Sequence, residues 1–539
     1  MAQKIIVLSG RVSAGKTTLA DALQEQFDAK VLRTKSVIID TAKGKLDAER
    51  GTLQRYGDSL DRKTGGGWVA NALTRLVESL AADAFVVVDS ARIIEQVHGI
   101  RRAYGPRVVH VHLEADLSVL AERYKRKQRQ RNFRELRSYA DLSINQTERR
   151  IDRLAQTADV VINTERSTRA DVVVRAASRL GLYDREHRPL VDVLVGGAYG
   201  SEGKGHIASY LAPEYDVLMR VGGPNAGHKV FEDPQPYVHH LLPSGTRRCN
   251  ARLILAPGTV LNVSQLLREI ADCSVSKERL AVDPHAMIIE DEDRSFEDAT
   301  LVGSIGSTGQ GVGAATARKI LRGATSPAVR LSNDVAALRP YVRDTGCILD
   351  KAFREGKKVL LEGTQGVGLS LHHGIYPHVT SRDTTVSGCL SEAGIPPRRV
   401  RKVVMVCRTF PIRVKSPSKK RSSGYMAQPL TWKVVGHRSG YDPRDLERAE
   451  HTSTTNRLRR VGEFEWDLFR RAVSLNGPTD IALTFVDYIA RINAEARRFE
   501  QLTDDTIRFI EELERVANAP VSLISTRFNY RSIIDRRAW

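Results

Sequence analysis

Residues 192–206 read DVLVGGAYGSEGKGH, and residues 221–229 read VGGPNAGHK. In the first run, Val193, Leu194 and Val195 lead into Gly196, Gly197, Gly200, Gly203 and Gly205. An apolar run followed by clustered glycines predicts a buried strand feeding a tight loop. Glycines let backbone N–H groups approach an anion closely, and Lys204 adds a fixed positive charge. The stretch therefore predicts a phosphate site at a strand end. Its spacing is not the Walker arrangement G-x-x-x-x-G-K-[ST].

A Walker arrangement does occur nearer the N-terminus. Residues 4–8 form an apolar strand, residues 10–17 (GRVSAGKT) complete the loop, and residues 18–27 read as a helix. In such a loop the amides cradle phosphates, Lys16 reaches the outer ones, and the Thr17 hydroxyl suits Mg²⁺. Gly10, Gly15 and Thr18 complete the expected ATP-binding set. A second strand, residues 84–88, runs into Asp89-Ser90-Ala91-Arg92. Asp89 there suits a metal-side carboxylate or a substrate contact, or else a cap on the helix at residues 93–101. A third strand spans residues 108–113. A basic stretch follows, including Arg123, Arg126, Arg129, Arg131, Arg134 and Arg137. It reads as a lid whose arginines close over a transferred phosphoryl group, with a solvated helix face as the plain alternative. Residues 159–163 form the last strand of this unit.

Residues 182–189 are polar and contain a proline, so they read as a linker. Two domains are expected, residues 1–185 and residues 190–539, although length alone suggests about three. Both alternate apolar strands with helices, which predicts an α/β fold: two P-loop-like domains with mainly parallel sheets flanked by helices.

Composition narrows the class. The 539 residues are 41% hydrophobic and 27% charged, as expected of a globular chain. No apolar run reaches the roughly 18 residues of a membrane span. The five cysteines are widely spaced and form no C-x-x-C, which argues against a disulfide framework or a zinc site. A cytoplasmic location is expected, since no signal segment opens the chain. The formal charge of +19 is spread along the sequence and comes with no nucleic-acid-binding motif. It is read as the cost of handling several phosphates, not as a nucleic-acid surface.

Residues 1–180 resemble nucleoside and deoxynucleoside monophosphate kinases in their order of strand, P-loop, DSAR strand, arginine-rich lid and final strand. The second half resembles the adenylosuccinate synthetase family in its compact form. The glycine loop is similar to that family's G-D-E-G-K-G, and Asn225-Ala226-Gly227-His228 to its N-A-G-H. Further fragments follow in the family's order: HHLLPSG at 239–245, GSTGQGVG at 306–313, LEGTQG at 361–366, HGIYPHVTSRDTT at 373–385, TTNRLRR at 454–460 and LTFVD at 483–487.

The resemblance implies a ligase that phosphorylates the C6 oxygen of a purine nucleotide from a triphosphate, after which L-aspartate displaces phosphate. It implies Mg²⁺ as cofactor, with the Gly227 carbonyl as one ligand. Gly200, Glu202, Gly203, Lys204 and Gly205 fall on the triphosphate loop, and Asp487 on the base site. His228 falls on the general acid. Asn225, Thr308, Gln365 and Thr380 fall around the purine nucleotide. Arg322 falls where the family lends an arginine to a neighbouring subunit, which implies a homodimer. Thr454, Thr455, Arg457 and Arg459 fall on the aspartate loop. Phe485 replaces the lysine of the guanine-reading K-x-D, so ATP or dATP stands beside GTP as donor.

One residue departs from the family at its chemical centre. Ser201 occupies the place of the catalytic Asp, and serine is not a comparable base. Serine at this point resembles the phage-type synthetases that aminate dGMP. Three readings stay open: a ligase for dGMP or GMP, a conventional adenylosuccinate synthetase acting on IMP, and a degenerate nucleotide sensor.

Overall fold

The computed structural model describes all residues except 1–3, 43–49, 83, 131–138, 140–149, 184–186, 324–325, 417, 419–421, 452–457 and 539. The chain divides into two compact units, Met1–Arg185 and Glu186–Trp539.

The first unit is a five-stranded parallel sheet with helices on both faces. Its strands are β1 (Lys4–Gly10), β2 (Lys30–Leu32), β3 (Phe85–Ala91), β4 (Val108–Glu114) and β5 (Val160–Asn163), in the spatial order β2-β3-β1-β4-β5. Crossover helices cover both faces of such a sheet, so its strands read as continuous apolar runs. Ile6 and Leu8 of β1 pack into one core, and Ile5 and Val7 into the other. Helix α1 (Lys16–Phe27) starts directly from the loop after β1.

The second unit is built on a nine-stranded sheet. In chain order its strands are β6 (Val191–Gly196), β7 (Val217–Arg220), β8 (Arg252–Leu255), β9 (Leu280–Val282), β10 (Val359–Glu362), β11 (Val400–Arg408), β12 (Asp480–Thr484), β13 (Val521–Ser525) and β14 (Ile533–Asp535). Their spatial order is β9-β8-β7-β10-β6-β11-β12-β13-β14, and only β14 runs antiparallel to its neighbour. The central strand β6 is buried along its whole length. Its outflow is the glycine loop, which enters helix α2 (Lys204–Leu211). The carboxyl ends of β6, β10, β11 and β12 therefore open on one side, where open α/β sheets bind ligands. Among the described residues, no helix is long and apolar enough to cross a membrane.

Candidate active site

The carboxyl ends of the second sheet enclose a cavity of about 990 Å³. Its floor is the glycine loop. Gly203 takes a left-handed conformation (φ 85°) as the residue that starts α2. Gly200 (φ 104°) lies so close to Gln365 that an added Cβ would stand 2.9 Å from the Gln365 Cα. Both positions need glycine.

Glu202 does not extend toward a ligand. Its carboxylate accepts from the backbone N–H of Ala198 (3.0 Å) and Gly200 (2.6 Å) and from Lys204 Nζ (2.6 Å). It shapes the loop from inside, in contrast to the triphosphate contact expected of it. Lys204 also donates to the Gly200 carbonyl at 2.9 Å, and its side chain is fully buried beside the cavity. The loop carbonyl and the Glu202 carboxylate fix the Nζ of this buried lysine in position beside the cavity.

His228 begins the short strand after N-A-G-H, and its ring is 7% exposed. Its Nδ1 pairs with Glu362 at the end of β10. Its Nε2 is buried without a hydrogen-bond partner among the described residues. Burial and the nearby Arg220 guanidinium push the imidazole down to about 4, against the pull of Glu362. Burial alone would raise Glu362. Arg220, His228 and Ser244 outweigh it and hold the carboxyl at about 2. Glu362 also accepts from the Ser244 N–H at 2.7 Å and from the Ser244 hydroxyl. Fixing Nδ1 in this way leaves Nε2, on a residue that lines the cavity, as the nitrogen not engaged by Glu362.

Three residues expected around the purine nucleotide form one chain. Gln365 Nε2 donates to Asn225 Oδ1 (3.1 Å), and Asn225 Nδ2 donates to Thr380 Oγ1 (3.4 Å). The Gln365 carbonyl oxygen Oε1 is buried without a partner among the described residues. Thr308 lines the same cavity. Arg322 does not: it ends the helix Val312–Leu321, exposed and with φ 65°.

Ser201 lines the cavity and is half-buried. Its carbonyl accepts from Arg408 Nη1 at 3.1 Å. Arg408 Nη2 donates to Glu450 at 2.8 Å, and Arg459 Nη1 donates to the other oxygen of Glu450 at 3.2 Å. The aspartate-loop residues Thr454, Thr455 and Arg457 lie outside the described residues. Beyond this wall, Asp487 accepts from the Tyr441 hydroxyl at 3.1 Å. Burial pushes its carboxyl up to about 6. Asp487, Arg527 and Phe528 also border an adjoining cavity of about 850 Å³. Phe485 supplies a ring over which the Arg408 guanidinium stacks at 3.8 Å, so the position of the expected lysine is spent on packing.

In the first unit, Lys16 Nζ donates to the carbonyls of Gly10 (2.5 Å) and Arg11 (3.0 Å), folding back over the loop. Gly15 (φ 102°) starts α1, and Thr17 and Thr18 are exposed in its first turn. Asp89 lies inside β3 and accepts from the N–H (2.9 Å) and hydroxyl (2.8 Å) of Thr34, the first residue of the helix Thr34–Thr41. It thus caps a different helix from the one expected. Arg92 is half-buried, its N–H given to Gln96. Arg123 is held by the Thr164 hydroxyl and carbonyl, both at 2.9 Å, so it anchors β5 rather than reaching over the loop. Arg126 is exposed and pairs with Glu122. Arg129, Arg131, Arg134 and Arg137 belong to the lid expectation, and of their side chains nothing is described.

Glu362, Ser244, Arg220, Arg408 and Glu450 were not singled out from sequence. Glu362 and Ser244 do sit within the quoted LEGTQG and HHLLPSG fragments. Arg408 and Glu450 carry no local signal.

Comparison with known proteins bears on this site directly. The family model for adenylosuccinate synthetase matches residues 193–336 and 327–494. The family described as chromatin associated protein KTI12 matches residues 4–164. Adenylosuccinate synthetases of Pyrococcus sp. (strain ST700) and Methanocaldococcus jannaschii are each 35% identical over 353 residues, 64% of this chain and 98% and 96% of theirs. Among solved structures, the fully ligated adenylosuccinate synthetase of Plasmodium falciparum matches in fold, with a TM-score of 0.57 and 22% identity. The match covers 65% of this chain and 100% of that one. The succinoaminodeoxyadenylate synthetase of cyanophage S-2L, bound to dGMP and to dATP as an energy donor, matches with a TM-score of 0.54 and 27% identity. There the shares are 65% and 96%. The chain therefore belongs to the adenylosuccinate synthetase family of carbon–nitrogen ligases in purine biosynthesis, and carries a kinase-like P-loop unit ahead of the ligase.

Proposed function

We propose that the ligase half joins L-aspartate to C6 of a 6-oxopurine nucleotide that carries a 2-amino group, dGMP or GMP ahead of IMP. The observation that carries this reading is Ser201 on the wall of the cavity that His228, Lys204, Asn225 and Gln365 also line. A serine leaves room beside C2, and its hydroxyl can accept from an exocyclic amine. The 27% identity to a synthetase bound to dGMP supports it. The 35% identity to archaeal adenylosuccinate synthetases favours the second reading, IMP. The sensor reading rests on the missing base at Ser201, and His228, Lys204 and Arg459, which all border the cavity, weigh against it.

In this reaction the C6 oxygen takes the terminal phosphoryl group as the N1 proton passes to solvent and the nucleoside diphosphate leaves; the aspartate amine then adds at C6, loses a proton and expels phosphate. Lys204 at the loop attracts the transferred phosphoryl group. His228 Nε2 gives or takes a proton at that group, with Glu362 holding Nδ1. Held at about 4, the imidazole is neutral near pH 7, and an incoming phosphoryl anion raises its proton affinity. Gln365 and Asn225 orient the purine nucleotide, and Arg459 takes a carboxylate of aspartate through charge-assisted hydrogen bonds.

Gly227 and Ser201 both border the cavity, and the Gly227 carbonyl and the Ser201 hydroxyl are the oxygens that would serve a cation there. Among the described residues no group of three or more His, Cys, Asp or Glu is placed to hold a metal. Such hard but sparse oxygen donors fit Mg²⁺, which keeps waters and binds largely through phosphates. When bound it neutralises charge on the phosphates. Thr17 would serve in the same way in the first unit.

The N-terminal unit is proposed to phosphorylate a nucleoside monophosphate, independently of the ligase. Arg322, exposed at a helix end, fits a residue lent to the second subunit of a homodimer. One assay tests the substrate reading: phosphate release with aspartate, ATP or GTP, and each of dGMP, GMP and IMP. Higher kcat/KM for IMP than for dGMP and GMP would replace the first reading with the second.

A further inference from the structure

The wall beside the glycine loop contains a polar cluster in which Arg459 is joined by Arg408 and Glu450, two residues to which neither the sequence nor the family resemblance gave a role. Arg408 ends β11, Glu450 follows the helix Pro443–Ala449, and Arg459 precedes the strand Arg460–Gly462. All three border the cavity. The Arg408 and Glu450 side chains are 2% and 3% exposed. Every acceptor position that Glu450 uses is spent inside the cluster: Oε1 takes Arg408 (2.8 Å) and the Tyr488 hydroxyl (2.9 Å), and Oε2 takes Arg459 (3.2 Å). Arg459 is tied a second time, because its backbone N–H donates to the Glu450 carbonyl at 3.0 Å. Arg459 spends only Nη1 on Glu450, while its Nε is buried with no hydrogen-bond partner among the described residues. Among the described residues that Nε–H is held in place and unspent.

We propose that Glu450 is a positioning residue for the acidic amine substrate. It clamps Arg408 and Arg459 side by side, so that the guanidinium of Arg459, with its Nε–H unspent, meets a substrate carboxylate already oriented. A guanidinium fixed in advance loses less freedom when it forms a bidentate pair. Arg408 extends the same clamp to the Ser201 carbonyl, so one carboxylate sets the spacing between the glycine loop and the acid-binding edge. This inference rests on the reading that Arg459 binds aspartate.

The test uses the full-length protein, with KM for aspartate, for the purine nucleotide and for the triphosphate measured separately. Glu450→Gln keeps the shape and removes the charge. It should raise KM for aspartate on the order of tenfold or more, leaving kcat and the other two KM values within about threefold. Glu450→Asp should recover part of the loss. If all the constants move by a common factor, or only a nucleotide KM moves, Glu450 is structural and the proposal fails. Should Glu450→Gln not fold, Arg408→Lys, which keeps the charge and removes the fork, decides by the same split. Arg459→Leu separates the two levels. If it leaves KM for aspartate unchanged, the assignment of Arg459 is wrong. If it raises that KM while Glu450→Gln does not, only the positioning role falls.

Discussion

Replacing Glu362 with glutamine tests the proton-handling arrangement at its support. The wild-type carboxylate accepts from His228 Nδ1, the Ser244 hydroxyl and the Ser244 N–H, and lies 3.7 Å from Arg220. Glutamine has one acceptor oxygen and one NH₂ donor. If the NH₂ faces His228, Nδ1 must become an acceptor and can no longer carry a proton, so the imidazolium is disfavoured. The charge of Glu362 also stops supporting a histidine already down at about 4. A general acid contributes roughly 10² to 10⁴ in rate, so kcat should fall within that range. KM for aspartate should change little. Arg220, buried at 2% exposure, keeps its hydrogen bonds to the carbonyls of Leu242 and Ala226 but loses its counter-charge. Breaking a buried pair costs about 3–5 kcal/mol, so the melting temperature of the ligase unit should drop as well. The assays are phosphate release at saturating substrates and thermal unfolding. A variant with kcat within about threefold of wild type would refute the reasoning, because the Glu362–His228 contact would then carry no chemistry.

Three further outcomes are expected. Ser201→Asp should narrow or reverse the dGMP-to-IMP ratio of kcat/KM, which one hydrogen bond to a buried polar group sets at roughly five- to a hundredfold in wild type; an unchanged ratio removes Ser201 from purine reading. Lys16→Ala should abolish nucleoside monophosphate phosphorylation and spare aspartate ligation, and equal loss of both would end the case for independent halves. Acid should destabilise both units. Burial holds His110 and His112 of the first unit, and His206, His228 and His240 of the second, near 4, with His239 near 3, all from an ordinary 6.5. Below that ordinary value the unfolded chain takes up protons that the folded chain refuses. The stability is therefore whole above pH 6.5 and is lost as pH falls toward 4, by about 1.4 kcal/mol per pH unit for each histidine. Melting curves from neutral pH down to about pH 4.5 check this, and a flat profile over that window contradicts it.

What could be read from the sequence followed from locality. The strand, loop and helix at residues 4–27 are contiguous, and their order is the signal. The glycine loop and His228 lie within two adjacent runs. Contacts between distant residues were not visible. Glu362 meets His228 across 134 positions and Ser244 across 118. Asp89 meets Thr34 across 55, which is why its capped helix was misplaced. Glu202 sits in the expected loop, yet its direction depends on amides that turn inward only once the loop closes. Arg408 and Glu450 are 42 positions apart, in stretches with no glycine signature or catalytic pattern.

Gln365 holds a left-handed backbone, with φ 57°. A non-glycine residue there costs roughly 1 kcal/mol, and glycine would remove that cost. Glycine at 365 would exchange that strain for the buried amide that ties Asn225 to the cavity, two terms of similar size in stability. Screens that rank variants of this chain by melting temperature will therefore register little at this position, while the site loses the group that orients its nucleotide.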